Sequence, residues 1–130
     1  ATDLWTGGEA SDDDRRFAEE VLHYTYDGGR AAQRGRVRVV TSHPGFSRDE
    51  YRYVNEYRPD RYRVESPDAL RPAGAGAFSV MRYVGRTAGV ASEAGGTFVM
   101  GFPFESIESD VQRDRLMRDV LDFLLKQKDR

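Results

Sequence analysis

Two carboxylates and one imidazole are the side chains of this chain most suited by type to chemistry: Glu9, Glu105 and His43. Each acid follows a Gly- or Pro-bearing corner, Thr6-Gly-Gly-Glu9 and Gly101-Phe-Pro-Phe-Glu105. If the segments ahead of them, Asp3 to Thr6 and Thr97 to Phe102, are neighbouring strands, the carboxylates share one cleft. There they would act as acid and base or hold a hard cation. The competing assignment is structural, because an acid at a helix start satisfies free backbone N–H groups and the helix dipole. His43 sits in the turn Ser42-His-Pro-Gly after a strand, where it could pair with a carboxylate, but no Gly-x-Ser-x-Gly elbow accompanies it. His23 has no ligand-spaced partner, and neither a metal site nor a cofactor is expected.

A second set is aromatic and cationic. Between Phe46 and Val64, the residues Tyr51, Tyr53, Tyr57, Arg58 and Tyr62 interleave with further arginines, a composition able to stack on sugars or bases. Read that way, residues 51–63 are the face of a carbohydrate-binding module. Read otherwise, the stretch is an irregular excursion whose tyrosines cover a sheet edge. Its arginines would then pair with Asp49, Glu50, Glu56, Asp60 and Glu65, since the local charges nearly cancel.

The elements that must position these groups follow from periodicity and punctuation. Ser11 or Asp12 caps a helix predicted from Asp13 to Thr25, with Phe17, Ala18, Val21, Leu22 and Tyr24 or Thr25 facing a sheet. Arg36 to Thr41 alternates as a half-exposed strand. Ser66 to Gly76 reads as a Pro- and Gly-rich connector. Ala77 to Val84, Thr87 to Ser92 and Thr97 to Phe102 form an antiparallel meander, because their connections are short and carry glycine. A final helix from Ser109 to about Lys126 places Val111, Leu116, Met117, Val120, Leu121, Leu124 and Leu125 on one broad face. Ser106 or Ser109 is its cap.

Composition narrows the function classes. At 130 residues the chain fits one domain, residues 1–130, large enough for a core without staples. The formal charge of −2 argues against a nucleic-acid partner, and no apolar run reaches the roughly 20 residues of a membrane span. With no cysteine there is no thiol nucleophile, disulfide or thiolate metal site. Lys126 and Lys128 are the only lysines among 20 basic residues, so surface ion pairing is left to arginine.

The two corners resemble those of the class I glutamine amidotransferase-like fold, a flavodoxin-like α/β architecture with a mixed sheet and flanking helices. In active members the first corner carries a nucleophilic cysteine and the last a His-Pro-Glu segment. Here Gly7 or Gly8 stands at the first, and Pro103-Phe104 stands in place of the histidine. A triad without nucleophile or base performs no acyl transfer. Phe98-Val-Met-Gly-Phe-Pro-Phe-Glu-Ser-Ile107 with Arg115 to Leu124, the connector Tyr62 to Asp68 with Pro72 to Gly76, and Thr6 to Glu9 resemble a catalytically silent branch of that fold. Its members are domains of exported bacterial multidomain proteins labelled xanthan lyase or cell-wall amidase, some with a golvesin-type module.

The resemblance implies a non-catalytic accessory or interaction domain of an exported polysaccharide- or cell-wall-associated protein, outside the cell or in its envelope. It also implies an N-terminally incomplete sheet, since only Ala1 and Thr2 precede Asp3. Such a sheet would dock on other domains of a parent chain or on a second copy. The alternatives are a hydrolase or metal-dependent enzyme using Glu9, Glu105 and His43, and the glycan-binding module above.

Overall fold

The computed structural model describes residues 11–31, 34–60 and 63–128; the expected strand Asp3 to Thr6, Glu9 and Tyr62 lie outside these residues. Helix α1 (Asp12–Phe17) starts from a reciprocal cap. The Ser11 Oγ accepts from the Asp14 N–H and the Asp14 carboxylate accepts from the Ser11 N–H, both at 3.1 Å. The helix then widens into a π turn, Ala18–Leu22, and stops at His23, whose backbone is left-handed. The expected continuation to Thr25 is replaced by strand β1 (Tyr24–Tyr26). A β-branched residue between two tyrosines suits a pleated, half-buried surface, and β1 finds its partner in β4 (Leu70–Pro72). The wider turn also rotates the inward face. Ala18 is buried, whereas Phe17 and Val21, expected against the sheet, are about half exposed.

The remaining strands are β2 (Arg36–Val39), β3 (Glu50–Arg52), β5 (Ala77–Arg82), β6 (Thr87–Ser92) and β7 (Thr97–Met100). Among the described residues the seven strands form one sheet in the order β1-β4-β6-β5-β2-β3, with β7 also paired to β6. The β5-β6-β7 meander is as the short connections require. By contrast β3 and β4 fall inside stretches expected to be irregular. Their order comes from distant partners: β3 lies on β2, and β4 on β1 and β6. Every described pairing is antiparallel, which corrects the expected mixed sheet. Parallel neighbours need crossovers of about a dozen residues or more. Among the described residues no helix lies between one strand and the next.

Helix α2 (Asp110–Lys128) lies on one face of the sheet. Ser109 caps it, its Oγ accepting from the Gln112 N–H at 3.2 Å. Leu116 and Phe123 are buried against Val37, Val39, Tyr51 and Met81, with Val120 and Leu124 half-buried beside them. Val111, Met117, Leu121 and Leu125, expected on the same face, point outward; the buried stripe is narrower than the apolar one. Polar ties fix the helix to the start of β3: Arg115 Nη1 to Asp49 Oδ2 at 2.7 Å and Gln112 Nε2 to the Glu50 carbonyl at 2.9 Å. On the opposite face Ala18 and Leu22 pack on Tyr24, Leu70, Val90 and Val99. All six residues of β6 are buried between these layers.

Tyr51, Tyr53 and Tyr83 are core residues. Burial pushes the Tyr51 phenol up to about 12, aided by the Asp49 and Asp119 carboxylates, and burial likewise raises Tyr53 and Tyr83. A phenol raised in the fold stabilises it fully below the unfolded value near 10, and that contribution is lost as pH climbs toward the folded value. Tyr51 alone should therefore make stability fall by up to about 1.4 kcal/mol per unit between about pH 10 and 12, with Tyr53 and Tyr83 acting in the same direction. A spectrophotometric titration should show these phenolates appearing only as near-UV circular dichroism is lost. Ionisation of every tyrosine in a still-folded chain would contradict their burial.

Candidate functional site

The candidate residues that the structure describes are dispersed by the fold. His43 lies in the turn after β2, with its ring stacked on Phe78 (centroids 5.4 Å apart, planes 11°) and edge-on to Phe123 and Phe46. Its Nδ1 accepts from the Gly45 N–H at 3.0 Å, which places the ring proton on Nε2. Nε2 in turn donates to Glu93 Oε1 at 2.8 Å. Both nitrogens are engaged, and the ring serves as an aromatic wall with a polar rim. Its carboxylate partner is in the β6–β7 loop, a contact no local pattern reveals.

Glu105 is found at the other end of β7. The corner after β7 leads into a single 3-10 turn, Phe104–Ser106, and not directly into α2. Glu105 is exposed there, while the buried Ser106 spends its hydroxyl on the Pro103 carbonyl at 2.5 Å. His43 and Glu105 thus occupy opposite ends of β7. Among the described residues no group of three or more His, Asp or Glu side chains converges as a metal site.

The corner itself is closed by backbone. Gly101 donates to the Ala88 carbonyl at 2.8 Å and accepts from the Asp68 N–H at 2.7 Å. The buried Tyr83 hydroxyl donates to the Asp68 carbonyl at 3.0 Å. A Cβ on Gly101 would overlap that same carbonyl oxygen. The segment beyond the corner seals β3: the Val54 N–H donates to the Ser106 carbonyl and the Glu108 N–H to the Arg52 carbonyl, both at 2.8 Å. This edge is therefore covered by residues 106–108 and not by the tyrosines.

The Tyr and Arg stretch does not present one platform. Tyr51 and Tyr53 are buried, while Tyr57 and Arg58 are exposed. Arg58 pairs with Glu108 at 2.9 Å, and Asp49 is taken by Arg115, so these two groups, expected to pair within the stretch, pair with the C-terminal segment instead.

A different basic surface does form. On the face of the sheet opposite α2, Arg36 and Arg38 of β2 stand level with Arg52 and Glu50 of β3, and Arg38 is level with Arg82 of β5. Arg34, Arg36, Arg38 and Arg82 line a groove of about 460 Å³ together with Glu50 and the β5–β6 turn. The Arg-Val-Arg-Val alternation gave the strand, but the register that aligns its neighbours is not local. No protein-family model, curated protein or solved structure matches this chain.

Proposed function

We propose that this chain is a non-catalytic accessory or interaction domain of an exported polysaccharide- or cell-wall-associated protein. The observation that carries this reading is that Ser106, at the Gly101 to Ile107 corner, and His43, at the opposite end of β7, are both spent on the fold. The Ser106 hydroxyl is held by the Pro103 carbonyl, and both His43 nitrogens are engaged by Gly45 and Glu93. A base must keep a free lone pair aimed at its substrate. The likeness to the silent branch of the class I glutamine amidotransferase-like fold is proposed for the corner and the helix after it. The antiparallel sheet departs from what that likeness implies for the rest.

Docking on other domains of a parent chain or on a second copy is supported by the outward apolar side chains of α2, where Val111 is 68% and Leu125 58% exposed. The enzymatic alternative is tested directly. Residues 1–130 at high enzyme loading should release no ammonia from glutamine. Hydrolysis that disappears in Glu105→Gln would refute the accessory reading and revive the use of Glu105 as a catalyst.

A further inference from the structure

We infer that the open face of β3-β2-β5 is a binding site for an extended anionic glycan, whose repeated carboxylates or sulfates are held by Arg36, Arg38, Arg52 and Arg82. Register puts these side chains in rows: Arg52 opposite Arg36, and Arg82 opposite Arg38, with Glu50 on Arg38's other flank. Directly opposed side chains on neighbouring strands stand about 4.5–5.5 Å apart at Cβ, and like charges so placed are destabilising. Arg36 against Arg52 and Arg38 against Arg82 are two such oppositions side by side, in a chain whose net charge is −2. The fold itself gains nothing from them.

Nor do the described carboxylates form ion pairs with these arginines. Among the described residues, none of Arg34, Arg36, Arg38, Arg52 or Arg82 lies within ion-pair distance of a carboxylate, although other arginines, Arg58, Arg71 and Arg115 among them, do. Arg82 is steadied from below, its Nη2 donating to the Gly85 carbonyl at 2.8 Å. Guanidinium forks bind carboxylate, sulfate or phosphate oxygens in pairs.

The shape of the groove selects among polyanions. Along β2, Arg36 and Arg38 repeat at roughly 6.6–6.8 Å, so the ligand must carry charge after charge along a chain. Single-stranded nucleic acid is normally gripped by basic residues together with aromatic faces on which bases stack. Among the described residues lining this groove the one aromatic, Tyr83, is buried, and the apolar wall is the exposed Val84. Recognition therefore rests on charge and on hydrogen bonds, which suits an acidic sugar polymer. The charge pattern holds whether or not the chain catalyses, and glutamine hydrolysis is a separate readout.

The test is affinity electrophoresis and calorimetry of residues 1–130 with polygalacturonate, dextran sulfate, neutral dextran and poly-dT. Both anionic glycans should bind and neutral dextran should not, and binding should weaken steeply from about 50 to about 200 mM salt. Whichever of carboxylate and sulfate binds tighter identifies the preferred group. Arg36→Gln with Arg38→Gln should lose at least about tenfold in affinity. Arg118→Gln, on the exposed surface of α2, should lose none. Because opposed like charges are relieved, the double variant should unfold at or above the parent temperature, so weakened binding will not be a folding defect. Absence of glycan binding, equal binding by the double variant, or tighter binding of poly-dT would each overturn the assignment.

Discussion

Among the described glycines, Gly101→Ala should be the most damaging substitution, costing at least about 3 kcal/mol of stability, the upper end of overpacking effects. The added Cβ has no side chain to push aside, because what it meets is the Asp68 carbonyl oxygen, with the Tyr83 hydroxyl 3.0 Å away. Relief would require separating β4 from the end of β7. That movement breaks the Asp68 to Gly101 backbone bond and leaves buried polar groups unmatched. Gly85→Ala is the informative comparison. Its φ is +87°, but nothing lies within 4 Å of the new Cβ, so only the left-handed backbone cost of about 1–2 kcal/mol applies. Urea unfolding of both variants separates the two causes. A Gly101→Ala midpoint no lower than that of Gly85→Ala would mean that the corner is not closed by Asp68.

Phe123→Ala should cost about 3–5 kcal/mol, the range for removing a buried aromatic ring. Phe123 is 1% exposed and touches three other rings at once: Phe46 at 5.3 Å, His43 at 5.4 Å and Phe78 at 6.1 Å between centroids. Its loss leaves a cavity under β5 and removes the main attachment of the second half of α2. Leu121→Ala, on the same helix but 48% exposed, should cost well under 1 kcal/mol. Equal effects at the two positions would show that α2 does not present the Leu116 and Phe123 face to the sheet.

The parts of this fold legible in the sequence are those made by neighbours in the chain. The β5-β6-β7 meander was announced by its glycine turns, and α2 by its apolar run after Ser109. What escaped was set by remote pairing. Tyr24 to Tyr26 continues the periodic pattern of α1 and becomes a strand only because Leu70 to Pro72 lies alongside it. Leu70 to Pro72 in turn sits among prolines and glycines that signal a loop. The candidate site divides in the same way. That Arg36 and Arg38 share a face could be read from alternation, but Arg52 and Arg82 join them only through register. The roles of Tyr51 and Tyr53 were likewise hidden, since an aromatic in a charged stretch serves equally as a surface stack or as core.

The placement of β6 has a consequence for how the native state opens. It bonds β5 along one edge, and shares its other edge between β4, at Thr87, and β7, from Gly89 to Ser92. No single neighbour can leave and free the whole strand. In native-state hydrogen exchange, then, β6 amides should be released only by complete unfolding, while β1, held by β4 through three residue pairs, exchanges through smaller openings. Those openings would bare β4 and the Asp68 seam first, so exposure of this protein to proteases should begin at its β1–β4 side and end at its middle strand.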